Sequence, residues 1–585
     1  LPVEVARSAL GRRWRLRPFD DALALALSQR LGLPEIVGRI MAGRGVDLAT
    51  AQEFLEPRLR TLLPDPSYLR DLEIGAARLA DAIAAGEPIG IIGDYDVDGA
   101  TSTALLVRYL RELDIAAPFE IPDRVDDGYG PNAGAFERLA AQGCRLVVTV
   151  DSGTTAFTPL AEARRRGVDV IVVDHHAAEA TLPPAVAVIN PNRRDQAGGV
   201  RDLAAVGVTF LLLVGLNREL RRRGWFATRA EPVLTDWLDL VALGTVCDVM
   251  PLTGLNRAFV RQGLRVMAQG RNAGLRALAE AAQLAWPPAC WQLGFVLGPR
   301  INAGGRIGRS SLGARLLCST DASEAAGLAQ RLHDLNAQRQ TMEREQLARA
   351  EALVTASVAR DAPVLIAADR AIHPGIAGLL AARLAERHRR PAVVIALDAL
   401  GTGRGSGRSV PGFDLGAAVQ AARAAGLLLQ GGGHPMAAGL TVASARVAEL
   451  QAFLVEHATI SACPVGAAPE MAIDAAVTTT AITPQLAGDL ERLGPFGPGN
   501  PAPLLALTDA RVVETRPAGS SHVSCVLSGA GGGRLRAIAF RARATPLEAV
   551  LVAGRHLHVA GRVSRSQYQG QERVELQIED AAAPA

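Results

Sequence analysis

Three carboxylates fall within five residues at Asp94, Asp96 and Asp98, in the stretch "EPIGIIGDYDVDGATSTALLVRYL". At that spacing they repel one another, and a positive partner is needed to hold them together. One or more divalent cations bound through oxygen would supply it. Two more apolar runs end in the same way: "RLVVTV" leads into Asp151, and "VDVIVVD" ends at Asp174, followed by His175 and His176. A single Asp after a strand is most often a helix cap or turn residue. Three strand ends with one chemistry reverse that reading. Carboxylate mixed with imidazole suits Mn²⁺ or Mg²⁺ rather than a thiolate-rich zinc site. The donors suffice for two ions, which points to phosphoryl chemistry with an attacking water. A further acid, Asp248, closes the apolar run "WLDLVALGTVC". A negative charge at a helix C-terminus opposes the dipole, so a ligand role fits Asp248 better than a cap.

These acids need strands to carry them. From residue 87 to about 190, β-branched runs alternate with helical segments, the pattern of a parallel doubly wound sheet. Such sheets place ligands at the carboxyl ends of their strands, where these acids lie. Residues 1–85 read as a helical lead-in and 86–315 as the unit that carries the acids. The segment 316–356 reads as a long polar helix joining two lobes, 357–465 as a second α/β unit, and 466–585 as a small β-barrel, of which an OB-fold is one option. Three Gly-rich segments read as loops. "RINAGGRIGRS", with Arg300, Arg306 and Arg309, is either a phosphate loop or an arginine-decorated surface loop. "GTGRGSGRSVPGFDL" is too polar and flexible for core; its backbone N–H groups suit a phosphate cradle, with Arg404 and Arg408 adding charge. "LLLQGGGHPMAAGL" reads as a close-approach loop opening a helix, with His434 either functional or a plain turn histidine. Arg565 and Tyr568 in the barrel form either a stacking surface for single strands or an ordinary hairpin.

The totals exclude several classes. With 585 residues the chain exceeds one core, and 49% hydrophobic with 21% charged residues is ordinary globular composition. The net charge of +3 argues neither for nor against nucleic acid. There is no lysine, so all 62 basic residues are arginine, which grips phosphate bidentately. The six cysteines are scattered without a C-x-x-C pair, which fits reduced thiols in the cytoplasm. No uncharged apolar run is long enough to span a membrane.

Taken together, "GDYDVDGATSTALL", "VTVDSGTTA", "VVDHH" and "VALGTVCDVMPL" resemble the four motifs of the DHH phosphoesterase superfamily. "GRGSGRSVPGFDL" and "GGGHPMAAGL" resemble its associated C-terminal substrate-binding domain, DHHA1. "RINAGGRIG", the long helix and "LGPFGPGNPAP" before a barrel are similar to the RecJ branch of that superfamily. The resemblance runs from "GRGVDLATAQEFLEP" to the barrel, with small departures at Cys247, where alanine is commoner, and Ile372, where an aromatic is usual. It implies an α/β protein of two lobes, DHH and DHHA1, joined by a long helix and followed by an OB-like barrel. The activity it implies is metal-dependent digestion of single-stranded DNA from the 5′ end to 5′-mononucleotides in repair and recombination. By the same resemblance, Asp96, Asp98, Asp151, His175 and Asp248 hold two divalent cations, Mn²⁺ or Mg²⁺, with Asp151 as the bridge. Asp94 and His176 are close accessories. Arg124, Arg306, Ser406, Arg408, Gly433 and His434 are candidates for holding the terminal phosphate or the strand. A helicase and a single-strand-binding protein are the implied partners of a cytoplasmic monomer. The rival readings are a phosphodiesterase for nano-oligonucleotides or cyclic dinucleotides, and a non-catalytic DNA-binding scaffold.

Overall fold

The apolar runs "IGII", "LVVTV", "DVIVV" and "AVI" are four of the five strands of an all-parallel sheet in the computed structural model. Residues 4–123, 127–461, 470–529, 531–568 and 571–584 are described. They fall into two compact units, Pro64–Met250 with Gln262–Ala467, and Leu1–Leu63 with Pro251–Arg261 and Ala468–Ala585.

In the first of these units the strand order is Phe119–Glu120, Ile89–Ile92, Leu146–Val150, Asp169–Val173, Ala187–Ile189. Ile89–Ile92 and Leu146–Val150 are buried at every position, as expected for parallel strands covered on both faces. Phe136, Leu139 and Leu160 pack one face against Val147, Val170 and Val172. The helices Leu72–Ala85, Val97–Glu112 and Ala205–Arg222 cover the other. From Ile89–Ile92 the chain crosses to Phe119–Glu120 on one side and then returns to Leu146–Val150 on the other. The winding therefore reverses between Ile89–Ile92 and Leu146–Val150, and a crevice opens at their carboxyl ends.

The helix Ala322–Ala359 has 38 residues, about 57 Å at 1.5 Å per residue. Its first half packs on the helices Ala273–Ala281, Gly298–Ile307 and Leu312–Cys318. Near its end Ala350 and Val354 join the core of a second sheet with Leu365, Leu380 and Val394. That sheet is mixed, in the order Gln430–His434, Ala437–Ala443, Thr402–Arg408, Ala392–Leu397, Leu365–Asp369, with only the last pair parallel.

All three Gly-rich segments depart from their expected loop conformation. "GPRINAGGRI" is the helix Gly298–Ile307. "TGRGSGR" is an internal strand of the mixed sheet, its N–H and C=O groups engaged in ladders on both sides. Its alternation is a period-two pattern: Cβ atoms on Gly403, Gly405 and Gly407 would lie 2.6–2.7 Å from Ile395, Leu440 and Leu415. The glycines thus make room for core side chains on one face while Arg404, Ser406 and Arg408 take the other. "QGGGH" opens no helix; it is a strand paired antiparallel with Ala437–Ala443. At Gly433, with φ 155°, a Cβ would sit 2.5 Å from Ala438 Cα.

The other unit contains the expected barrel. Leu505–Ala518, His522–Ser528, Arg534–Ala539, Gln571–Ala582 and His556–Tyr568 pair in that order, and the last closes on the first. Five strands closed with one parallel pair make an OB-like barrel. Arg565 is paired with Glu491, and the Tyr568 side chain lies outside the described residues. Within the stretch expected to be a helical lead-in, the short strand Arg13–Leu16 pairs in parallel with Glu470–Ile473. Trp14 within it is fully buried, and its Nε1–H donates to Asp580 Oδ2 at 3.2 Å. Arg257 reaches Phe54 O, Leu493 O and Gly494 O at 2.8–2.9 Å, tying residues 251–261 into the unit.

Candidate metal centre

The acidic loop begins where Ile89–Ile92 ends. Asp96 caps the helix Val97–Glu112, its Oδ1 accepting the N–H groups of Asp98 at 2.9 Å and Gly99 at 3.1 Å. Position 99 requires glycine, because a Cβ there would lie 2.5 Å from the Asp94 backbone. Asp98 faces away from its own helix terminus. Its two oxygens accept Ala205 N–H at 2.6 Å and Val206 N–H at 2.9 Å, at the positive end of the helix Ala205–Arg222. Asp151 follows Leu146–Val150 with φ 60°, and Asp248, the C-cap of Leu238–Cys247, is followed by Val249 at φ 60°. A β-branched residue in that region is a true outlier, and such strain collects at functional sites.

These turns bring the side chains together. His175 Nε2 lies 3.3 Å from Asp151 Oδ1, 3.6 Å from Asp248 Oδ2 and 3.8 Å from Asp98 Oδ2. Donor atoms converge in three overlapping groups: Asp151 with His175 and His176, Asp98 with His175 and Asp248, and Asp94 with Asp96 and Asp151. Asp151 Oδ1, His175 Nε2 and Asp248 Oδ2 are buried with no hydrogen-bond partner. Buried polar atoms are ordinarily paired. Three orphaned ligand atoms of oxygen and imidazole type, aimed at one another, fit a hard divalent cation.

The electrostatics agree. Burial and the neighbouring carboxylates push the Asp98, Asp151 and Asp248 carboxyls up, and the charge of His176 offsets only part of this at Asp98 and Asp248. Burial, with the charge of His176 beside it, lowers His175 to about 4, so its ring is neutral at pH 7 and can present a lone pair. Burial also opposes a charge on His176, but the hydrogen bond to Asp174 prevails and raises it to about 9.

Positioning groups surround this cluster. Asp174 Oδ1 accepts the N–H groups of His175 at 2.7 Å and His176 at 3.2 Å, and lies 2.8 Å from His176 Nδ1; Oδ2 accepts Thr154 N–H at 3.0 Å. Asp174 thus serves the backbone and His176 rather than the orphaned ligand atoms. Asn190 and Asn192 donate to the carbonyls of His176 and His175 at 2.9 and 2.6 Å. Tyr129 was not among the residues expected from sequence. Its hydroxyl donates to Asp151 O at 3.0 Å and lies 3.1 Å from His176 Nδ1. Nothing local marks it beyond the Gly-Tyr-Gly turn after two acids. Tyr129→Phe removes that donor from the strained Asp151 carbonyl and is expected to lower stability by about 1 kcal/mol, read in a urea melt. An unchanged midpoint would deny the hydroxyl a positioning role.

The residues proposed for substrate are distributed. His434 lines a cavity of about 540 Å³ together with His175, His176, Arg201, Asp202 and Asp248. The sheet register aligns His434, Ala437 and Arg408 in one row and Gly432, Gly439 and Ser406 in the next. Ser406, Arg408 and His434 therefore share one face across a floor of small residues. Gly378 faces Arg408 and Ser406, where a Cβ would lie 3.3–3.5 Å from both. Arg306 Nη1 donates to Gly375 O at 3.1 Å, just before the helix Ala377–His388 that carries Gly378. Gly305, one residue earlier, abuts Tyr95 of the acidic loop. Arg124 lies outside the described residues.

Comparison with known proteins covers this architecture. Residues 88–245 match the DHH family, N-terminal domain, residues 361–458 the DHHA1 domain, and residues 473–580 the RecJ OB domain. The single-stranded-DNA-specific exonuclease RecJ of Dickeya dadantii is 37% identical over 94% of this chain and 96% of its own length. That of Escherichia coli is 37% identical over 89% and 90%. The crystal structure of RecJ in complex with Mn²⁺ from Thermus thermophilus aligns with a TM-score of 0.81 at 32% identity, covering 98% of this chain and 80% of that one. The Mg²⁺ complex from the same organism aligns with a TM-score of 0.75 at 30% identity, covering 98% and 78%. Identity of that level over nearly the full length, together with the three domain matches, means that this chain belongs to the RecJ family of single-stranded-DNA-specific exonucleases.

Proposed function

We propose that the chain hydrolyses single-stranded DNA from the 5′ end, releasing 5′-mononucleotides in repair and recombination, with Mn²⁺ or Mg²⁺ as cofactor. The observation that carries this reading is the convergence of Asp151 Oδ1, His175 Nε2 and Asp248 Oδ2, buried and without hydrogen bonds, at the crevice of the parallel sheet. Asp96, Asp98, Asp151, His175 and Asp248 would hold two cations. Asp151 and His175 each belong to two of the three donor groups, and Asp151, the carboxylate of the two, has a second oxygen to offer, which supports its role as the bridge. Such a pair supplies a water of lowered pKa and offsets charge on the phosphodiester. Asp98 holds its carboxylate fixed against a helix N-terminus, His175 presents a neutral ring, and His176 keeps a proton at the rim of the centre. Arg306, Ser406, Arg408, Gly433 and His434, with Arg124, would hold the 5′ end. Residues 86–315 then form the catalytic domain, 357–465 the substrate-binding domain and 466–585 the barrel.

A 5′-labelled single strand should lose its label at once as mononucleotide, whereas a 3′ label stays on a shortening strand. Early release of the 3′ label, or equal digestion of blunt duplex, would overturn the reading. We further propose a cytoplasmic monomer that works beside a helicase and a single-strand-binding protein; no helix among the described residues is long and apolar enough to cross a membrane. Sedimentation at 61.2 kDa checks the monomer.

The raised carboxyls carry a prediction. Their protons must leave when a cation arrives. Apparent Mn²⁺ affinity should therefore rise with pH from the ordinary carboxylate range towards about 9, where Asp248 titrates. Calorimetry in buffers of different ionisation heat should show net proton release, and a pH-independent affinity would contradict it.

A further inference from the structure

We propose that Arg201 binds the phosphodiester that the strand presents to the metal centre, a substrate contact that rests on the function proposed above. Arg201 lines the cavity of about 540 Å³ that also takes in His175, Asp248 and His434. Its guanidinium has a single partner among the described residues, the Gln196 carbonyl, to which Nη2 donates at 2.7 Å. It forms no ion pair among them, although Asp202 and Asp248 line the same cavity. Arg193, earlier in the same segment, is by contrast held by both Asp71 and Asp195. The remaining N–H donors of Arg201 form a planar fork, which matches the oxygens of a phosphate bidentately.

The backbone that carries Arg201 is pinned in place. Gln196 is buried; its Nε2 donates to Tyr68 O at 2.7 Å, and its Oε1 accepts Arg70 N–H at 3.0 Å. The Tyr68 hydroxyl donates to Val200 O at 3.1 Å. Gly199, at φ 79°, lies against the Tyr68 ring, where a Cβ would come within 2.2 Å. Beyond Arg201 the chain passes through Leu203 into the helix Ala205–Arg222, whose first N–H groups hold Asp98. One short segment therefore anchors a metal ligand at its end and sets a guanidinium on the wall of the same cavity. A side chain on a fixed backbone, with one hydrogen bond already made, has less freedom to lose when it takes a ligand. Charge points the same way. The centre gathers the carboxylates of Asp94, Asp96, Asp98, Asp151 and Asp248, and a phosphodiester brought there adds negative charge that builds in the transition state. An arginine at that place offsets it alongside the cations.

The test compares Arg201→Gln and Arg201→Lys with the wild type on a 5′-phosphorylated single strand in Mn²⁺, over a series of NaCl concentrations. Arg201→Gln, folded by circular dichroism, should lower kcat/KM by about 10- to 100-fold, the loss of one charge-assisted contact. It should also flatten the slope of log kcat/KM against log salt by about 0.7, the share of one phosphate contact on a single strand. Arg201→Lys, which keeps the charge, should retain the slope and part of the rate. Mn²⁺ binding, read by calorimetry, should match the wild type in both variants. Wild-type kcat/KM for Arg201→Gln would overturn the proposal even though the nuclease reading stands. A slower enzyme with an unchanged salt slope would also overturn it, by assigning the loss to the loop. So would a matching loss of Mn²⁺ affinity, which would make Arg201 a support of the centre rather than a substrate contact. Failure of the wild type itself to bind or cut single strands would instead remove the function on which the inference rests.

Discussion

Asp151→Asn is expected to slow hydrolysis of single-stranded DNA by about three orders of magnitude or more while leaving the fold intact. Asparagine is the informative replacement because Asp151 sits at φ 60°, a region that Asn tolerates far better than Ala. It removes the negative charge of a side chain that belongs to two of the donor groups and retains its shape. The same change should leave the metal-free protein at least as stable as the wild type. Burial and the carboxylates of Asp98, Asp96, Asp94 and Asp248 push the Asp151 carboxyl well up, so ionising it costs the folded state. A carboxyl raised on folding binds more protons in the native state, and stability then falls as pH climbs above the unfolded value near 4. The advantage of Asn should accordingly be absent below pH 4 and grow as pH rises. Urea melts in EDTA at pH 5 and pH 8 measure it. Near wild-type hydrolysis would sink the bridge assignment, and a large loss of stability at pH 8 would show that the carboxylate holds the fold instead.

Asp98→Ala should be equally inactive but clearly less stable, by about 2–4 kcal/mol. Like Asp151, the Asp98 carboxyl is raised by burial and by Asp96, which by itself would make its removal harmless. The hydrogen bonds decide otherwise. Both of its oxygens accept buried N–H groups, those of Ala205 and Val206, and alanine leaves the two donors without partners at about 1–3 kcal/mol each. The favourable charge at the N-terminus of the 18-residue helix Ala205–Arg222 is lost as well. Relief of repulsion offsets only part of that. Two carboxylates of one cluster thus have opposite effects on the metal-free fold, and paired urea melts in EDTA separate them. Indistinguishable midpoints for Asp98→Ala and the wild type would remove the anchoring role.

Much of this protein was determined by local sequence. The acids at 94, 96, 98, 151 and 248 and the histidines at 175 and 176 could be picked out because each follows a short apolar run, and strand ends of a parallel sheet share one edge. The barrel was legible from alternation with period two, and the long helix from its length and polarity. What the sequence left open required partners remote along the chain. The Gly-Arg segment 402–408 looked like a loop because glycine usually marks one. It is a strand because Leu440, Ile395 and Leu415 occupy the space where its side chains would be. Arg13–Leu16 alternates arginine with Trp14 and Leu16 over only four residues, and it becomes a strand because its partner lies 457 residues later, at Glu470–Ile473. Tyr129 and Asp174 became positioning groups only when folding set them against Asp151 and His176. The sequence by itself determined which residues bear the chemistry, since residue type and strand periodicity are local properties. Tertiary structure alone decided the state of each. Burial, the helix terminus behind Asp98 and the orphaned atoms of Asp151, His175 and Asp248 arise from groups that meet only when the chain is folded.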